Sequence, residues 1–309
     1  MNIEGSTAQQ ETLIPLQCPV CGERDYKVLF PATLPLGART THLYNFSELQ
    51  RRHAQIVRCP GCGVVYCNPV HSHKHLTLDE YQGLEVDAVY LRTEAFRKMT
   101  FRGDQHLLAR YMAPGRMLDV GCYAGFSLEV AQEFGWKATG VEAARWAVDF
   151  ARARKLDVVE GGLPELSGRP DAVFDLIVLN QVIEHIVHPK ECLRIIDGHL
   201  APRGWLYLTM PFADSMAFKL LGEKWWCINS EHVVYYTRSS IARLLNEAGF
   251  EIVALGNKVF YYPLSYVATF LENNRLLNSF ARLVSAVVPE SMGLPVTVWD
   301  SRYVLARKV

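Results

Sequence analysis

The chain has 309 residues, half of them hydrophobic, which is enough for one large α/β domain with its own core and a smaller module. Its 32 Lys and Arg residues balance its 32 Asp and Glu residues, so it lacks the basic excess typical of nucleic-acid-binding proteins. The polar N-terminus lacks the layout of a signal peptide, and no apolar run reaches the roughly 18 residues that span a bilayer. We therefore expect a soluble, cytoplasmic protein with neither a nucleic-acid nor a membrane partner.

The N-terminal part is predicted to contain a flexible tail at residues 1–16 and a small metal-binding module at residues 17–70. Short strand patterns in YKVLF, QIVRC and GVVYC alternate there with Pro and Gly. Two C-x-x-C pairs lie near the ends of the module, and tight turns that each present two thiolates are typical of a closed, structural zinc site. A module of this size has little core of its own, so metal binding would fold it. The predicted zinc ligands are Cys18, Cys21, Cys59 and Cys62.

Residues 71–100 are predicted to form a helical linker or lid. The segment HSHKH places His71, His73 and His75 on one face of an extended strand, but no carboxylate or cysteine companion lies nearby at ligand spacing. We therefore expect a solvated linker, or a linker from which one histidine reaches the active site, instead of a second metal site. The remaining cysteines are expected to be small buried fillers. These are Cys67, Cys122, Cys192 and Cys227.

From residue 101 onward, strand patterns alternate with helical ones. The strand patterns are RMLDV, KATGVE, LDVVEGG, FDLIVLN, GWLYLTM, FEIVALG and RYVLARKV. This order predicts an α/β fold with a mostly parallel sheet and right-handed crossovers. Two insertions, at about 212–236 and 257–295, are too long for simple turns and are predicted to form a cap over a pocket.

The stretch MLDVGCYAGF, residues 117–126, reads as a strand, a tight loop and a helix, the place where α/β proteins bind nucleotide-like ligands. The loop has Gly121 and Gly125 but lacks the middle glycine that a dinucleotide pyrophosphate needs. Asp119 beside the loop would repel phosphate and attract a cationic amino group. Glu142, at the end of the next strand, suits the two hydroxyls of a ribose. S-adenosylmethionine (SAM) is a ligand with a ribose and an ammonium group but no phosphate, and it fits these features.

These motifs, with the acid in GVEAA and the stretch FDLIVLNQVIEHIVHPKECLRIIDGHLAPRGWLYLTMP, make residues 101–309 resemble the class I SAM-dependent methyltransferases. The resemblance implies a Rossmann-like fold with a seven-stranded, mostly parallel sheet. It implies that Asp119 and the two glycines surround the methionine end of SAM, that Glu142 binds the ribose, and that the end of the fourth strand lies near the sulfonium. The predicted cofactor-binding residues are Asp119, Gly121, Cys122, Tyr123, Gly125, Glu142, Gly162, Leu163, Asn180 and Gln181.

Two positions depart from the family's pattern. Tyr123 stands where many members have glycine. Gly162 stands where the usual acid contacts the adenine amino group, so we expect contacts from Gly162 and Leu163 to be main-chain or apolar.

The acceptor side, where the molecule that receives the methyl group binds, is predicted to lie around two Glu-His pairs. Methyl transfer from a sulfonium is an in-line displacement that mainly requires alignment, and a base is needed only for an acceptor proton of high pKa. His185 follows the fourth strand at the edge where the methyl group should point, with helix packing as the alternative role, and Glu184 is expected to tie the start of the helix. Glu231 and His232 lie in the loop after the fifth strand. Aromatic residues beside them are predicted either to pack against the acceptor or to form ordinary core: Trp225, Trp226, Tyr235 and Tyr236.

The zinc ribbon and the two Glu-His pairs resemble the zinc-bearing methyltransferases of bacterial deoxysugar and natural-product pathways, with sugar C-methyltransferases as the nearest group. This resemblance implies His185, Glu231 and His232 as active-site residues. Those C-methyltransferases continue into a further C-terminal domain, whereas this sequence stops at Val309. We therefore expect O-methylation of a sugar or natural-product intermediate, with sugar C-methylation as the alternative.

The sequence leaves two other functions open: RNA methylation, with the ribbon binding the RNA, and a non-catalytic binding module. The balanced charge of the chain argues against RNA methylation. The apolar segment 261–288 is expected to form a pair of cap helices or the surface of a homodimer.

Overall fold

The computed structural model describes residues 13–34, 52–71, 86–168, 172–264, 293–297 and 299–309. The predictions made for residues 1–12, for His73 and His75 and for residues 265–292 lie outside the described residues.

The secondary structure follows the predicted alternation of strands and helices. The strands are β1 (Leu13–Ile14), β2 (Lys27–Phe30), β3 (Ile56–Arg58), β4 (Val65–Cys67), β5 (Val70–His71), β6 (Arg116–Val120), β7 (Lys137–Glu142), β8 (Asp157–Glu160), β9 (Phe174–Asn180), β10 (Leu200–Pro211), β11 (Val234–Tyr235), β12 (Phe250–Asn257), β13 (Phe260–Pro263), β14 (Gly293–Val296) and β15 (Ser301–Lys308). The α-helices are α1 (Ala88–Arg92), α2 (Glu94–Leu108), α3 (Phe126–Glu133), α4 (Arg145–Ala153), α5 (Pro189–His199), α6 (Met216–Leu221) and α7 (Arg238–Glu247). Short 3₁₀ turns cover Leu163–Gly168, Ile183–His185 and Gly222–Lys224.

The central sheet has seven strands in the order β12-β15-β10-β9-β6-β7-β8. Strands β6 to β10 within it pair in parallel, whereas β15 runs antiparallel to both β10 and β12. The prediction of a seven-stranded, mostly parallel Rossmann-like sheet is confirmed. Because parallel strands end at the same edge of a sheet, Asp119, Glu142 and Asn180 are brought to one edge by β6, β7 and β9.

Continuous hydrophobic runs form the central strands, and capping residues fix where helices begin. Leu118, Ile177 and Leu208 are fully buried, as expected for strands covered on both faces. Helix α7 begins with a capping box, in which the Thr237 hydroxyl accepts from the Ser240 N–H at 3.1 Å and the Ser240 hydroxyl accepts from the Thr237 N–H at 2.8 Å. These local signals explain why the sequence predicted most elements correctly.

The N-terminal ribbon is joined to the rest of the protein by a shared sheet. Its strands β2, β3 and β4 continue into β11, which belongs to the loop after β10. Val234 pairs with Tyr66 and Tyr235 with Val65 in this antiparallel contact. Tyr66 also packs in one buried cluster with Phe212. The loop that carries Glu231 and His232 is therefore held against the ribbon.

Charged contacts fix α2 on the sheet and beside α3. Asp104 on α2 forms a buried ion pair with Lys258 and accepts a hydrogen bond from the Tyr207 hydroxyl at 2.6 Å. Arg154 bridges Glu94 on α2 and Glu129 on α3, at 2.6 and 2.7 Å. The Arg154 hydrogen bond holds the pKa of Glu94 at about 2, below its ordinary value. Helix α2 is thus tied to β10 and to the residue that follows β12, through side chains that the sequence pattern did not single out.

One predicted element differs in type. The segment 261–288 was predicted to form a pair of cap helices or a dimer surface, but its first three residues, 261–263, lie in strand β13 (Phe260–Pro263), which pairs with β14. Short apolar runs are ambiguous in sequence, and pairing with a distant strand decided this one. Among the described residues, no helix combines the length and apolar character needed to cross a membrane.

Candidate active site

The loop between β6 and α3 is tight, and two glycines make it so. Gly121 has φ +73° and Gly125 has φ +80°, a region that favours glycine. A Cβ atom at Gly121 would lie 2.8 Å from Val182, and one at Gly125 would lie 2.5 Å from Leu156. The loop therefore has no room for side chains at these two positions, and it touches the segment that leads to His185.

Asp119 places a buried carboxylate beneath this loop. One of its oxygens accepts a hydrogen bond from the Ser127 hydroxyl, and the other has no hydrogen-bond partner within the described part of the chain. Burial, opposed by the Ser127 hydrogen bond and reinforced by the Glu142 charge, raises the pKa of Asp119 to about 7. A buried carboxylate oxygen of this kind suits the ammonium group predicted for the cofactor. Ser127 was not predicted, although its position in the first turn of α3 places it next to the glycine loop.

Glu142 is held in place by main-chain donors. Its two carboxylate oxygens accept from the N–H groups of Tyr123 at 2.8 Å and Ala144 at 2.7 Å. Burial raises the pKa of Glu142, and these hydrogen bonds oppose the rise. The carboxylate is therefore fixed at the end of β7, and its remaining lone pairs can accept from two ribose hydroxyls.

Tyr123, the departure from the family's glycine, connects the loop to the segment before α1. Its ring makes edge contacts with Tyr90 and Trp146, at centroid distances of 4.5 and 4.9 Å. Its hydroxyl donates to Asp87 at 3.3 Å, and Asp87 also caps α1. These three partners were not predicted, because their approach depends on tertiary contacts between distant segments.

The other predicted cofactor residues lie around the same edge. The main-chain N–H of Gln181 donates to Thr209 O at 2.9 Å, and the Thr209 hydroxyl donates to Asn180 Oδ1 at 3.4 Å. Leu163 and Cys122 are buried. The N–H of Gly162 donates to the Glu165 carboxylate at 2.8 Å, so this main-chain donor already has an acceptor within the protein.

The two Glu-His pairs come together across the sheet edge. The imidazole rings of His185 and His232 lie edge to face, with centroids 4.9 Å apart. His185 Nδ1 lies 3.1 Å from the main-chain oxygen of Glu231, and because a carbonyl oxygen can only accept, Nδ1 carries the proton donated to it. The Asn229 side chain accepts from the N–H groups of Glu231 at 2.8 Å and His232 at 2.9 Å. Asn229 was not predicted, although asparagine side chains often accept hydrogen bonds from main-chain N–H groups two residues further on in turns.

Glu184 does not tie the helix start as expected. It is fully buried, and neither of its carboxylate oxygens has a hydrogen-bond partner in the described ranges. Burial raises its pKa to about 8.

The four aromatic residues predicted for the acceptor have different surroundings. Trp225, Tyr235 and Tyr236 are buried among protein atoms, and Trp225 Nε1 donates to Asp300 at 3.0 Å. Trp226 is 47% exposed. In this structure, Trp226 is therefore the one of the four with a face open to a ligand, and the substrate-binding roles stay predictions.

The four ribbon cysteines converge as a metal site requires. The sulfur atoms of Cys18 and Cys62 are 3.5 Å apart, those of Cys21 and Cys59 are 3.4 Å apart, and all four lie within 4.8 Å of one another. These spacings match the edges of a tetrahedron of thiolates around Zn²⁺ with bonds of about 2.3 Å. The donor set therefore fits the predicted zinc ion.

The sheet order, the tight glycine loop and the two acids at neighbouring strand ends together define a Rossmann-like methyltransferase fold. The chain belongs to the methyltransferase-domain family, whose family model matches residues 91–255. The prediction of a SAM-dependent methyltransferase domain is thereby confirmed.

Curated relatives include O-methyltransferases of ubiquinone biosynthesis. The protein of Idiomarina loihiensis is 24% identical over 163 residues, which are 47% of this chain and 65% of the relative. The protein of Xanthomonas campestris pv. campestris strain B100 is 29% identical over 122 residues, which are 37% of this chain and 51% of the relative. The chain thus spans between half and two thirds of the length of these relatives.

A solved structure agrees in fold. A chain from the complex between the Haloferax volcanii Trm112 methyltransferase activator and a methyltransferase aligns with a TM-score of 0.50 and 15% identity. The match covers 70% of this chain and 93% of that chain. The resemblance to sugar C-methyltransferases stays a prediction.

Proposed function

We propose that the protein transfers a methyl group from SAM to a hydroxyl group of a small molecule, in particular a sugar or natural-product intermediate. The observation that carries the proposal is the pair of acids at neighbouring strand ends. Asp119 has one carboxylate oxygen without a hydrogen-bond partner among the described residues, and Glu142 is held by two N–H groups. Two carboxylates oppose a diphosphate and complement an ammonium group and a ribose. The ubiquinone O-methyltransferases among the relatives support oxygen as the acceptor atom.

In this proposal, residues at the sheet edge contact different parts of the cofactor. Asp119, Gly121 and Gly125 would hold the methionine end, and Glu142 would hold the ribose. Asn180 and Gln181, at the end of β9, would lie near the reacting centre, and Tyr123, Gly162 and Leu163 would border the adenosine. When bound, SAM supplies a methyl group on a positively charged sulfur, which a nucleophile can displace in line.

The chain's own contribution on the acceptor side is positioning and proton acceptance. The Nδ1–H of His185 faces the main-chain oxygen of Glu231, and the imidazole of His232 lies beside that of His185. These imidazoles and the Glu231 carboxylate are the groups that would hold the acceptor hydroxyl and take its proton. The exposed face of Trp226 offers an apolar surface to a sugar or planar ring.

The ribbon, residues 17–70, would bind Zn²⁺ through its four cysteines in a structural role. Its pairing with β11 supports this role, because the ribbon holds the loop that carries Glu231 and His232. The segments around 212–236 and 257–295 would cap the acceptor side, and residues 71–100 would act as a linker.

Binding and turnover assays with isotope-labelled SAM test the proposal. We expect SAM to bind in calorimetry and its labelled methyl group to appear on oxygen when a panel of nucleotide sugars and hydroxylated aromatic compounds is supplied. Glu142→Gln should weaken SAM binding about 10- to 100-fold, because it replaces a charged acceptor for the ribose hydroxyls. Glu160→Gln, at the end of the next strand, is the matched control. Binding of NAD instead of SAM, or recovery of the label on carbon, would contradict the proposal.

A further inference from the structure

A small cavity lies between α2 and the central sheet. Its volume is about 10 Å³, which is room for one water-sized group. Its wall includes Asp104 from α2, Ser127 from the first turn of α3, Asn180 from β9 and Tyr207 from β10. Ser127 donates a hydrogen bond to Asp119, and Asn180 is a predicted cofactor residue. The cavity therefore adjoins the place proposed for the methionine end of SAM.

The register of the strands explains why these groups meet. Asp119 on β6 pairs with Val178 on β9, and Val178 pairs with Tyr207 on β10. Residues that pair across neighbouring strands present their side chains on the same face of the sheet. The Tyr207 hydroxyl donates to Asp104 at 2.6 Å, so α2 covers this face and brings a second carboxylate to it.

Asp104 has one carboxylate oxygen that its protein contacts do not use. The residue is 7% exposed, and its Oδ1 accepts from the Tyr207 hydroxyl and pairs with the Lys258 ammonium group. Its Oδ2 is buried and has no hydrogen-bond partner among the described residues. An unpaired buried acceptor costs free energy, so such an atom normally has a donor. A donor that enters the cavity would supply the missing partner.

The charges beside the cavity favour a cationic donor. Burial raises the pKa of Asp119 to about 7, against the Ser127 hydrogen bond, and the charges of Glu142 and Asp104 raise it further. The Asp104 charge thus acts on Asp119, and the single positive charge of Lys258 cannot balance both acids. A water molecule would pair with Asp104 Oδ2 but would not balance the second acid. An ammonium group has three N–H donors and a positive charge, so it would do both.

We propose that Asp104 is a second acceptor for the ammonium group of SAM, which lies between Asp104 Oδ2 and the Asp119 carboxylate. The inference rests on the proposed function, which places the methionine end of SAM at Asp119. It assigns to α2, which precedes the first strand of the central sheet, a direct part in cofactor binding. Asp104 would make the site selective for a cofactor that carries an α-amino group.

Calorimetry with S-adenosylhomocysteine (SAH), the cofactor without its methyl group, tests the proposal on the full-length protein. Two further ligands isolate the amino group: deamino-SAH, in which hydrogen replaces the α-amino group, and 5′-methylthioadenosine, which lacks the amino-acid tail. Wild type should bind deamino-SAH at least tenfold more weakly than SAH. Asp104→Asn should weaken SAH binding at least tenfold, because an amide N–H₂ replaces the acceptor at Oδ2, and should change the affinity for the other two ligands less than about threefold. Asp197→Asn, in an ion pair with Lys308 at 2.9 Å, is the matched control and should change none of these affinities.

A second variant separates ammonium binding from a purely structural ion pair. Lys258→Met removes the cation at Oδ1 and leaves Oδ2 in place, so its affinity for SAH should stay within about threefold of wild type or increase. Binding of 5′-methylthioadenosine reports that each variant is folded. A similar loss of SAH affinity in Lys258→Met and Asp104→Asn would overturn the inference, because Asp104 would then act only through the ion pair.

The outcomes also separate this inference from the proposed function. Equal affinities of wild type for SAH and deamino-SAH, or an Asp104→Asn variant that binds SAH as wild type does, would overturn the inference. Both results leave the proposed function intact, because the protein still binds its cofactor. Failure of wild type to bind SAM and SAH would overturn both.

Discussion

The thiol of Cys67 donates a hydrogen bond to the main-chain oxygen of His232, with 3.4 Å between sulfur and oxygen across 165 residues of sequence. The N–H of the same cysteine donates to Val233 O at 2.9 Å. Strand β4 of the ribbon therefore borders the loop that carries a predicted catalytic residue. The fold of the ribbon and the position of the loop with His232 are coupled through this contact.

The first prediction concerns this coupling. Cys59→Ser removes one of the four thiolates, so zinc content should fall and strands β3 and β4 should loosen. Turnover should fall at least tenfold as the loop with His232 loses its support, while the dissociation constant for SAM changes less than about threefold. Metal analysis, hydrogen exchange of residues 231–236 and calorimetry measure these effects. Cys192→Ala, buried outside the ribbon, is the control.

Retained exchange protection and turnover in zinc-depleted Cys59→Ser would show that the ribbon does not support the loop. The pairing of β11 with β4 would then be a passive contact.

The second prediction is that SAM binding releases a proton near pH 7 and is pH-dependent. The pKa of Asp119 is raised to about 7 by burial, whereas the cofactor's ammonium group favours the ionised carboxylate. Affinity should therefore rise with pH up to about 7 and then level off. Calorimetry in two buffers with different ionisation enthalpies counts the proton. Asp119→Asn should abolish the release and weaken binding about 10- to 100-fold, and the exposed Asp149→Asn should change neither.

The same raised pKa has a consequence for stability without cofactor. Between the ordinary pKa of aspartate, near 4, and about 7, the folded protein holds a proton on Asp119 that the unfolded chain has lost. The contribution of Asp119 to the free energy of unfolding should therefore decrease as pH rises through this window and stay constant above it. Urea denaturation at several pH values should show this slope in wild type and its loss in Asp119→Asn. An equal slope in both proteins would contradict the assignment.

The third prediction separates chemistry from cofactor binding. His232→Ala and Glu231→Ala should each lower kcat about 10²- to 10⁴-fold, the usual range for groups that position or accept a proton. SAM affinity should stay nearly unchanged, because neither residue is among the predicted cofactor-binding residues. Single-turnover kinetics with calorimetry measures both quantities. An unchanged rate in either variant would remove that residue from the mechanism.

The fourth prediction concerns the ion pair beneath α2. Lys258→Met leaves the Asp104 carboxylate buried without its cation, which should lower the free energy of unfolding by about 3–5 kcal/mol. Adding Asp104→Leu to Lys258→Met should recover part of the loss, because the uncompensated charge is gone. Lys190→Met removes an ion pair with Glu247 whose lysine is half exposed, so it should cost less than about 1 kcal/mol. Equal losses in the two lysine variants, measured by urea denaturation, would contradict this account.

Local patterns predicted the strands well, because a buried parallel strand needs a continuous apolar run whatever its partners. KATGVE and FDLIVLN correspond to β7 and β9 at both ends. Residues 260–263 were less predictable, since a short apolar run fits a cap helix or a strand equally well. Strand β11 has two residues, too few for any periodic signal, and it exists because β4 pairs with it.

The sequence by itself determined the class of fold, the glycine loop, the acids at the ends of β6 and β7 and the four zinc-type cysteines. Each of these follows from residues that are close in the chain or that parallel strands necessarily align. The tertiary structure alone decided that Cys67 meets His232, that Tyr123 reaches Asp87 and that Glu184 is buried without a hydrogen bond among the described residues. These relationships join segments with no local signal for each other, and packing of the ribbon, the helices and the sheet creates them.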